Sequence, residues 1–236
     1  MKTLCVAVVV LSLTSVCQSA PLTCEQLNKP LDKSPDLSGR WYMIALSSDV
    51  CLIPSLLNAL FWPSLVIDFK EQDTPNLYNA NVTFNMHDFC DSKVETFFLK
   101  SSSLFDVDSN NSPTGEPDTL LHTGCPDCLV IKGNDGINLL MYFSRRKTVT
   151  DAELKEFETQ SECMGWFKPE VLNTVHEYQE CKSLDDDNED FSTLTAKMGQ
   201  RMKSSYTGPL QCIAQDIFYY PRVAFEWIQE RFYSLL

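Results

Sequence analysis

The most restrictive feature of this 236-residue chain is a train of short segments in which apolar and polar residues alternate. Successive side chains of a β-strand point to opposite faces, so such alternation predicts a strand with one buried face. Turn-forming residues separate the segments at the spacing of an antiparallel meander. Eight strands are enough to close a barrel around one small ligand. The segments lie at 40–47, 65–72, 77–86, 94–101, 104–108, 119–123, 128–132 and 139–144.

After the last of these segments the apolar period becomes that of a helix. Thr150 and Glu153 have the spacing of a capping box, and Gly165 marks the helix end. A short strand is predicted over 171–178, a second helix over 191–204 and an amphipathic third helix over 221–236. The predicted fold is therefore all-β: an eight-stranded antiparallel up-and-down barrel with one flanking helix and a helical C-terminal extension.

The first 20 residues have the pattern of a secretory signal peptide. Lys2 precedes an apolar run over 4–16, and small residues at Cys17, Ser19 and Ala20 follow it. We expect an exported protein whose barrel domain occupies 21–182, followed by an extension over 183–236.

The net charge of the chain is −13, and removal of the leader takes away Lys2, which makes the charge one unit more negative. This sign argues against nucleic acids and anionic membrane surfaces as electrostatic partners. It is compatible with a soluble carrier or with a cationic ligand.

Eight cysteines remain after the leader, and an even number in an exported chain predicts disulfides. The Cys-Pro-Asp-Cys stretch at 125–128 has the spacing of a redox or zinc motif. A structural disulfide is the favoured interpretation, because the chain has three His and no second such motif. We therefore expect no metal and no cofactor. The eight are Cys24, Cys51, Cys90, Cys125, Cys128, Cys163, Cys181 and Cys212.

Two N-glycosylation sequons begin at Asn81 and Asn110. A glycosylated Asn81 must face water, which turns the alternate residues of its strand inward. Asp68 and Lys70 likewise mark the outer face of the preceding strand. The strands at 94–101 and 139–144 are apolar on both faces, so their orientation stays open. The inner wall predicted in this way includes Met43, Ile67, Phe69, Tyr78, Val82, Phe84 and Met86.

The loop at 50–63 contains no charged residue and is too short to span a membrane. Two compatible interpretations remain: a short helix packed as core over the barrel mouth, or a lid whose Phe61 and Trp62 contact the ligand.

The order of these features resembles the lipocalin family. The resemblance rests on Gly39-x-Trp41 at the start of the first strand, and on the last strand leading through Ser144-Arg145 into the helix. It implies that Trp41 packs at the closed end beneath Arg145, in a structural role. The cysteine layout is similar to that of the lipocalins that include alpha-1-acid glycoprotein, apolipoprotein M and the fish saxitoxin- and tetrodotoxin-binding proteins. That likeness implies the pairs Cys24–Cys163 and Cys90–Cys181.

The sequence thus predicts a secreted, monomeric, non-enzymatic carrier that binds a small lipophilic or amphipathic molecule, which includes the case of a cationic toxin, xenobiotic or lipid. One alternative is a lipoprotein- or membrane-surface protein that acts through the 50–63 loop and the C-terminal helix. A less favoured alternative is a barrel isomerase, which would need a free thiol inside the barrel.

Overall fold

The computed structural model describes residues 22–134, 136–173, 178, 182–183 and 188–216. The predicted leader and the predicted helix at 221–236 lie outside these residues. The strands are β1 (Gly39–Ser48), β2 (Ser64–Glu71), β3 (Leu77–Met86), β4 (Phe89–Lys100), β5 (Ser103–Val107), β6 (Pro113–Leu121), β7 (Cys128–Gly133), β8 (Leu139–Ser144), β9 (Glu170–Val171) and β10 (Lys182–Ser183). The helices are α1 (Cys24–Leu27), α2 (Leu52–Leu56), α3 (Asp151–Cys163), α4 (Asn188–Ser205) and α5 (Thr207–Asp216), and a π-helical turn (Leu57–Phe61) continues α2.

Strands β1 to β8 form a closed antiparallel barrel in up-and-down order. Each strand pairs with its neighbours in sequence, β1 pairs with β8, and the β4–β5 pairing completes the ring. Outside the ring, β9 pairs antiparallel with β1, and β10 pairs parallel with β4. The predicted fold class is confirmed.

The register of the strands defines the two ends of the barrel. Ser48 lies opposite Leu139, and Ser64 lies opposite Asn85. The β1–β2 connection, the β3–β4 hairpin and the β7–β8 connection therefore share one end, which we call the mouth. The opposite end, where β1 begins, is the floor.

Strand β4 begins earlier than its sequence pattern predicts. The sequence indicates a turn over 87–92, but the turn contains only His87 and Asp88, with φ of 54° and 72°. Two-residue hairpin turns of this kind require positive φ at both central residues. The predicted turn is wrong from Phe89 onward, because the polar residues that follow belong to the strand.

Strand β6 also starts before its predicted position, at Pro113. The predicted turn through Pro117 is therefore too long. Thr114 pairs with Asp106 and Asp118 pairs with Leu104, so the register shifts between these two pairs. Gly115, with φ of 72°, lies in this irregular stretch. A glycine and two prolines gave this part of the strand the composition of a loop.

Helix α3 begins and ends as predicted. The Thr150 hydroxyl accepts a hydrogen bond from the Glu153 backbone N–H at 3.3 Å, and the Glu153 carboxylate accepts one from the Thr150 N–H at 2.7 Å. Gly165, with φ of 73°, follows the C-terminal cap. Both groups of the predicted capping box thus satisfy backbone donors of the first turn.

Helix α4 confirms the predicted second helix, whereas α5 was not predicted. Its first turn contains Gly208 and Pro209, a pair that usually marks a turn. Proline is tolerated in the first turn of a helix, where its missing N–H would have no intrahelical partner. The predicted strand at 171–178 is shorter, since β9 ends at Val171; residues 174–177 lie outside the described part of the chain.

The described residues form two apolar clusters. One lies in the barrel interior, and the other lies between α3 and the outer face of β1, β7 and β8. In the outer cluster Tyr142 stacks on Phe157, with ring centroids 4.8 Å apart. Strand β8 contributes to both, with Phe143 inside and Tyr142 outside. Within the described residues, no helix has the length and hydropathy needed to cross a membrane.

Candidate ligand-binding site

The floor of the barrel is built around Trp41. Its indole N–H donates to the carbonyl of Leu37 at 2.8 Å, and the Arg145 guanidinium lies 4.3 Å from the ring centroid. Arg145 also donates to the carbonyls of Ser38 and Asp36, at 2.8 and 3.2 Å. A cation over an indole face adds about 0.5–2 kcal/mol to the area it covers. The arrangement closes this end of the barrel, as the resemblance implies.

Two observations favour glycine at position 39 of this floor. Its φ of 99° is unfavourable for residues with a side chain, and a Cβ there would lie 2.8 Å from Arg145 Nη1. The glycine therefore lets the Arg145 guanidinium approach the start of β1. Next to Gly39, the Ser38 N–H donates to the Asp36 carboxylate at 2.9 Å, and this hydrogen bond lowers the pKa of Asp36.

Above the floor, the barrel interior is apolar and rich in aromatic residues. Phe69 meets Tyr78 edge-to-face, with ring centroids 6.4 Å apart. Burial raises the pKa of Tyr78, so its phenol stays protonated. The buried members of the interior cluster are Leu37, Trp41, Met43, Leu46, Phe69, Tyr78, Ala80, Leu99, Leu104, Leu120, Leu129, Ile131, Phe143 and Leu172.

Five of the predicted wall residues lie in or against this cluster: Met43, Ile67, Phe69, Tyr78 and Val82. Phe84 and Met86 follow on the same face of β3 toward the mouth, by strand alternation. The structure orients β4 and β8, the two strands whose inner faces the sequence did not define. Phe97 and Leu99 of β4, and Met141 and Phe143 of β8, face inward.

The wall also contains charged residues that the sequence pattern did not reveal. Ala80 lies opposite Glu95, and Val82 lies opposite Lys93. Residues directly opposite in an antiparallel pair project from the same face, so Glu95 and Lys93 share the face of the inward Ala80 and Val82. Lys93 Nζ lies 2.7 Å from Glu95 Oε1, and both side chains are solvent-accessible near the mouth.

Two more carboxylates join this wall from β5 and β6. Asp106 lies opposite the inward Phe97, and Asp118 lies opposite the inward Leu104. A Cβ built on Gly133 would lie 3.5 Å from both Asp118 Oδ1 and Met141 Cε, which places this half-buried carboxylate beside an apolar side chain of the interior. The β4–β6 side of the interior is therefore acidic near the mouth and apolar below.

The 50–63 loop forms a lid made of α2 and the π-helical turn. Leu57 of the lid packs against the interior cluster, and His87 Nε2 hydrogen-bonds to the Leu60 carbonyl at 2.7 Å. Phe61 is half-buried. Trp62 has φ of 43° and is 37% exposed, with the Arg201 guanidinium 4.4 Å from its ring centroid. Of the residues described, Leu57 is the lid side chain that reaches the interior cluster.

The C-terminal helices cover the lid. A disulfide joins Cys51, just before α2, to Cys212 of α5. From α4, Lys197 Nζ lies 2.6 Å from the Asp88 carboxylate in the β3–β4 hairpin. The predicted extension is thus covalently and electrostatically attached to the mouth of the barrel.

All seven cysteines among the described residues are disulfide-bonded, so none of them offers a free thiol for isomerase chemistry. The Cys24–Cys163 pairing agrees with the resemblance. Cys90 is also bonded, but Cys181 lies outside the described residues, and their pairing stays a prediction. Cys125 pairs with Cys128. Glu153 brings a third donor within 4.8 Å of these two sulfurs, which are engaged with each other.

Both sequon asparagines, Asn81 and Asn110, are exposed. Asn81 lies on the outer face of β3, between the inward Ala80 and Val82. The positions are accessible to glycosylation.

Comparisons with solved structures place this barrel among lipocalin folds. Lipocalin 12 from rat epididymis, solved by NMR, is 13% identical with a TM-score of 0.51, over 69% of this chain and 97% of that one. The siderocalin Ex-FABP, described as functioning through dual ligand specificities, is 16% identical with a TM-score of 0.48, over 64% of this chain and 100% of that one. No protein-family model and no curated protein matches the sequence. The fold is thus that of a lipocalin barrel, and the subgroup implied by the cysteine layout gains no support.

Proposed function

We propose that this protein is a secreted carrier that reversibly binds a small amphipathic molecule with a positively charged group inside its barrel. The proposal rests on the register of β4, β5 and β6, which places Glu95, Asp106 and Asp118 on the inner face of the barrel, above an apolar interior. It goes further than the apolar wall predicted from sequence, because it assigns the charge of the ligand as well as its hydrophobic part.

The apolar half of the interior supports binding of a hydrocarbon or aromatic group. Phe69, Tyr78 and Phe97 form a connected aromatic patch, with Phe69 and Phe97 centroids 6.5 Å apart. Burial of apolar ligand surface contributes about 25 cal/mol per Å². A few polar groups near the mouth would then fix the orientation of the ligand.

The acidic half supports a cationic head group. Glu95 pairs with Lys93, and Asp106 and Asp118 bring two further carboxylates to the same wall, which makes this side of the interior favourable for a cationic group. Asp118 is the stronger candidate, because its half-buried carboxylate lies next to apolar side chains, where Coulomb attraction is less screened than in water.

The test compares three probes with the same apolar chain: dodecyltrimethylammonium, dodecanol and dodecanoate, each titrated below its micelle concentration by calorimetry. We expect the cation to bind at least about tenfold more tightly than the alcohol, which corresponds to about 1.4 kcal/mol. No binding of any probe would contradict the carrier function. Equal affinities would contradict the charge preference and leave an apolar carrier.

Two variants separate the halves of the site. We expect Asp118→Asn to reduce the preference for the cation to about threefold, about 0.7 kcal/mol, with dodecanol binding unchanged. Asp73→Asn, in an exposed turn at the floor end, is the matched control and should change nothing. We expect Phe84→Ala to weaken all three probes together while the protein is still recovered from the culture medium.

Secretion belongs to the same proposal, since disulfides in every described cysteine accord with an oxidising compartment. Protein recovered from the medium of eukaryotic cells should begin at Ala20 or Pro21. The lipid-surface alternative draws no support from the lid, because α4 and α5 contact it; flotation with phosphatidylcholine vesicles remains its test.

A further inference from the structure

The Cys125–Cys128 disulfide differs from the other described bridges in how little chain it encloses. Its sequence separation is 3, against 139 for Cys24–Cys163 and 161 for Cys51–Cys212. In the loop-entropy account, stabilisation by a disulfide grows with the length of the loop that it closes. Of these three bridges, the short one is therefore expected to contribute least to the stability of the fold.

The surroundings of this bridge are those that stabilise a thiolate. Arg146 Nη2 lies 3.4 Å from Cys125 Sγ, and the Tyr142 hydroxyl donates to Cys128 Sγ at 3.1 Å. A neighbouring cation and a hydrogen-bond donor both favour the ionised form of a thiol. Since burial raises the pKa of Tyr142, its hydroxyl keeps the proton that it donates.

Burial and a nearby carboxylate act in the opposite direction. Cys125 and Cys128 are 6% and 8% exposed, and Glu153 lies within 4.8 Å of both sulfurs. However, Arg146 Nη2 also lies 2.6 Å from Glu153 Oε1, which offsets the carboxylate charge. Gly124, Pro126 and Asp127 around the bridge are exposed, so it lies just beneath the surface.

We propose that Cys125 and Cys128 form a thiol–disulfide exchange site that accepts electrons from an external dithiol, as a function separate from ligand carriage. The thiolate of the external dithiol attacks Cys125 Sγ next to the Arg146 cation. The Cys125–Cys128 bond breaks, its electron pair passes to Cys128 Sγ, and the Tyr142 hydroxyl hydrogen-bonds to the new thiolate.

The second thiolate of the external dithiol then attacks the external sulfur that is now bonded to Cys125 Sγ. This step releases Cys125 as a thiolate beside Arg146 and leaves the external molecule as a disulfide. In total, two electrons pass to this protein, and the external dithiol is oxidised. A reduced form stabilised by its surroundings makes a disulfide a better oxidant.

The test uses the full chain in buffers of graded dithiothreitol to oxidised dithiothreitol ratio, followed by alkylation and peptide mass spectrometry. We expect Cys125–Cys128 to be half-reduced at a ratio at least about tenfold lower than Cys24–Cys163 and Cys51–Cys212. Reduction of all bridges in one transition, or greater resistance of Cys125–Cys128, would overturn the proposal.

The role of Arg146 is tested by the charge of the attacking thiol. We expect mercaptoethanesulfonate, an anionic thiol, to react faster than the cationic cysteamine after each rate is corrected for thiolate fraction. Arg146→Gln should lower this preference by about tenfold, and Arg146→Lys should retain most of it. Arg40→Gln, at a distant ion pair with Asp68, is the control. An unchanged preference in a folded Arg146→Gln protein would contradict the assignment.

Tyr142→Phe gives an independent readout. It removes the hydroxyl but keeps the ring that stacks on Phe157. We expect the half-reduction ratio of Cys125–Cys128 to rise severalfold toward that of the other bridges, with their ratios unchanged. A ratio that does not move would contradict stabilisation of the Cys128 thiolate by this hydroxyl.

Discussion

The floor and the mouth of the barrel are held in different ways. At the floor, the buried indole of Trp41 lies under the guanidinium of the exposed Arg145, and both side chains donate to backbone carbonyls of residues 36–38, with no disulfide among these residues. At the mouth, the partners are partly exposed, as in the Lys197–Asp88 and Arg201–Trp62 contacts, and a disulfide between residues 161 positions apart joins them. Parts of a protein with few buried apolar contacts open locally at lower free energy than parts that pack in the core. We therefore expect the floor, where Trp41 is buried, to be the more rigid end, and the contacts at the mouth to open at lower free energy.

The largest test of this difference compares two tryptophans. We expect Trp41→Ala to lower the free energy of unfolding by about 3–5 kcal/mol, because it leaves a cavity at the floor and removes the ring beneath Arg145. Trp62→Ala, at the 37% exposed position under Arg201, should cost about 1 kcal/mol or less. Chemical denaturation followed by circular dichroism measures both. Equal losses would mean that the two ends do not differ in this way.

The next effect comes from the bridge at the mouth. We expect Cys51→Ala with Cys212→Ala to cost about 2–4 kcal/mol. Hydrogen exchange should show lost protection in α4 and the lid, with the amides of β1 and β8 near the floor little changed. Cys24→Ala with Cys163→Ala, which removes a bridge of similar span, should leave α4 protected. If both double variants loosen the same amides, the bridge at the mouth has no local role.

The smallest effect compares two glycines with positive φ. We expect Gly39→Ala to cost about 2–3 kcal/mol and Gly115→Ala about 1 kcal/mol, measured by denaturant midpoints. Both substitutions strain the backbone, but only at Gly39 would the new Cβ meet Arg145, at 2.8 Å; at Gly115 no atom lies within 4 Å. The difference between the two costs isolates the close approach of Arg145. A vanishing difference would show that the guanidinium can move aside without loss.

The same contrast explains which parts were predictable from the sequence. The floor and α3 depend on short-range signals, such as Gly39 two residues before Trp41 and Thr150 three residues before Glu153. The period of two in β2 and β3 likewise oriented Ile67, Phe69 and Tyr78. These features need no knowledge of which strands pair.

The mouth was less predictable because its contacts depend on register and on distant partners. The inward orientation of Glu95 follows from its pairing with the inward Ala80. The alternation within β4 alone did not show which face of that strand is the inner one. Nothing in the sequence around Cys51 indicates Cys212 as its partner, since eight cysteines allow many pairings. Helix α5 was missed because Gly208 and Pro209 have the local pattern of a turn.

The unequal lengths of β4 and β5 have a consequence for solubility. β5 pairs with residues 97–100 of β4, and β10 pairs with Phe89 and Cys90 on the same edge. Among the described residues, no strand pairs with the part of that edge between them, which contains Asp91, Lys93 and Glu95. Charged side chains on an open strand edge discourage pairing with another molecule. Lys93 and Glu95, two of the charges near the mouth, therefore also disfavour edge-to-edge aggregation of the barrel, whether or not a ligand is bound.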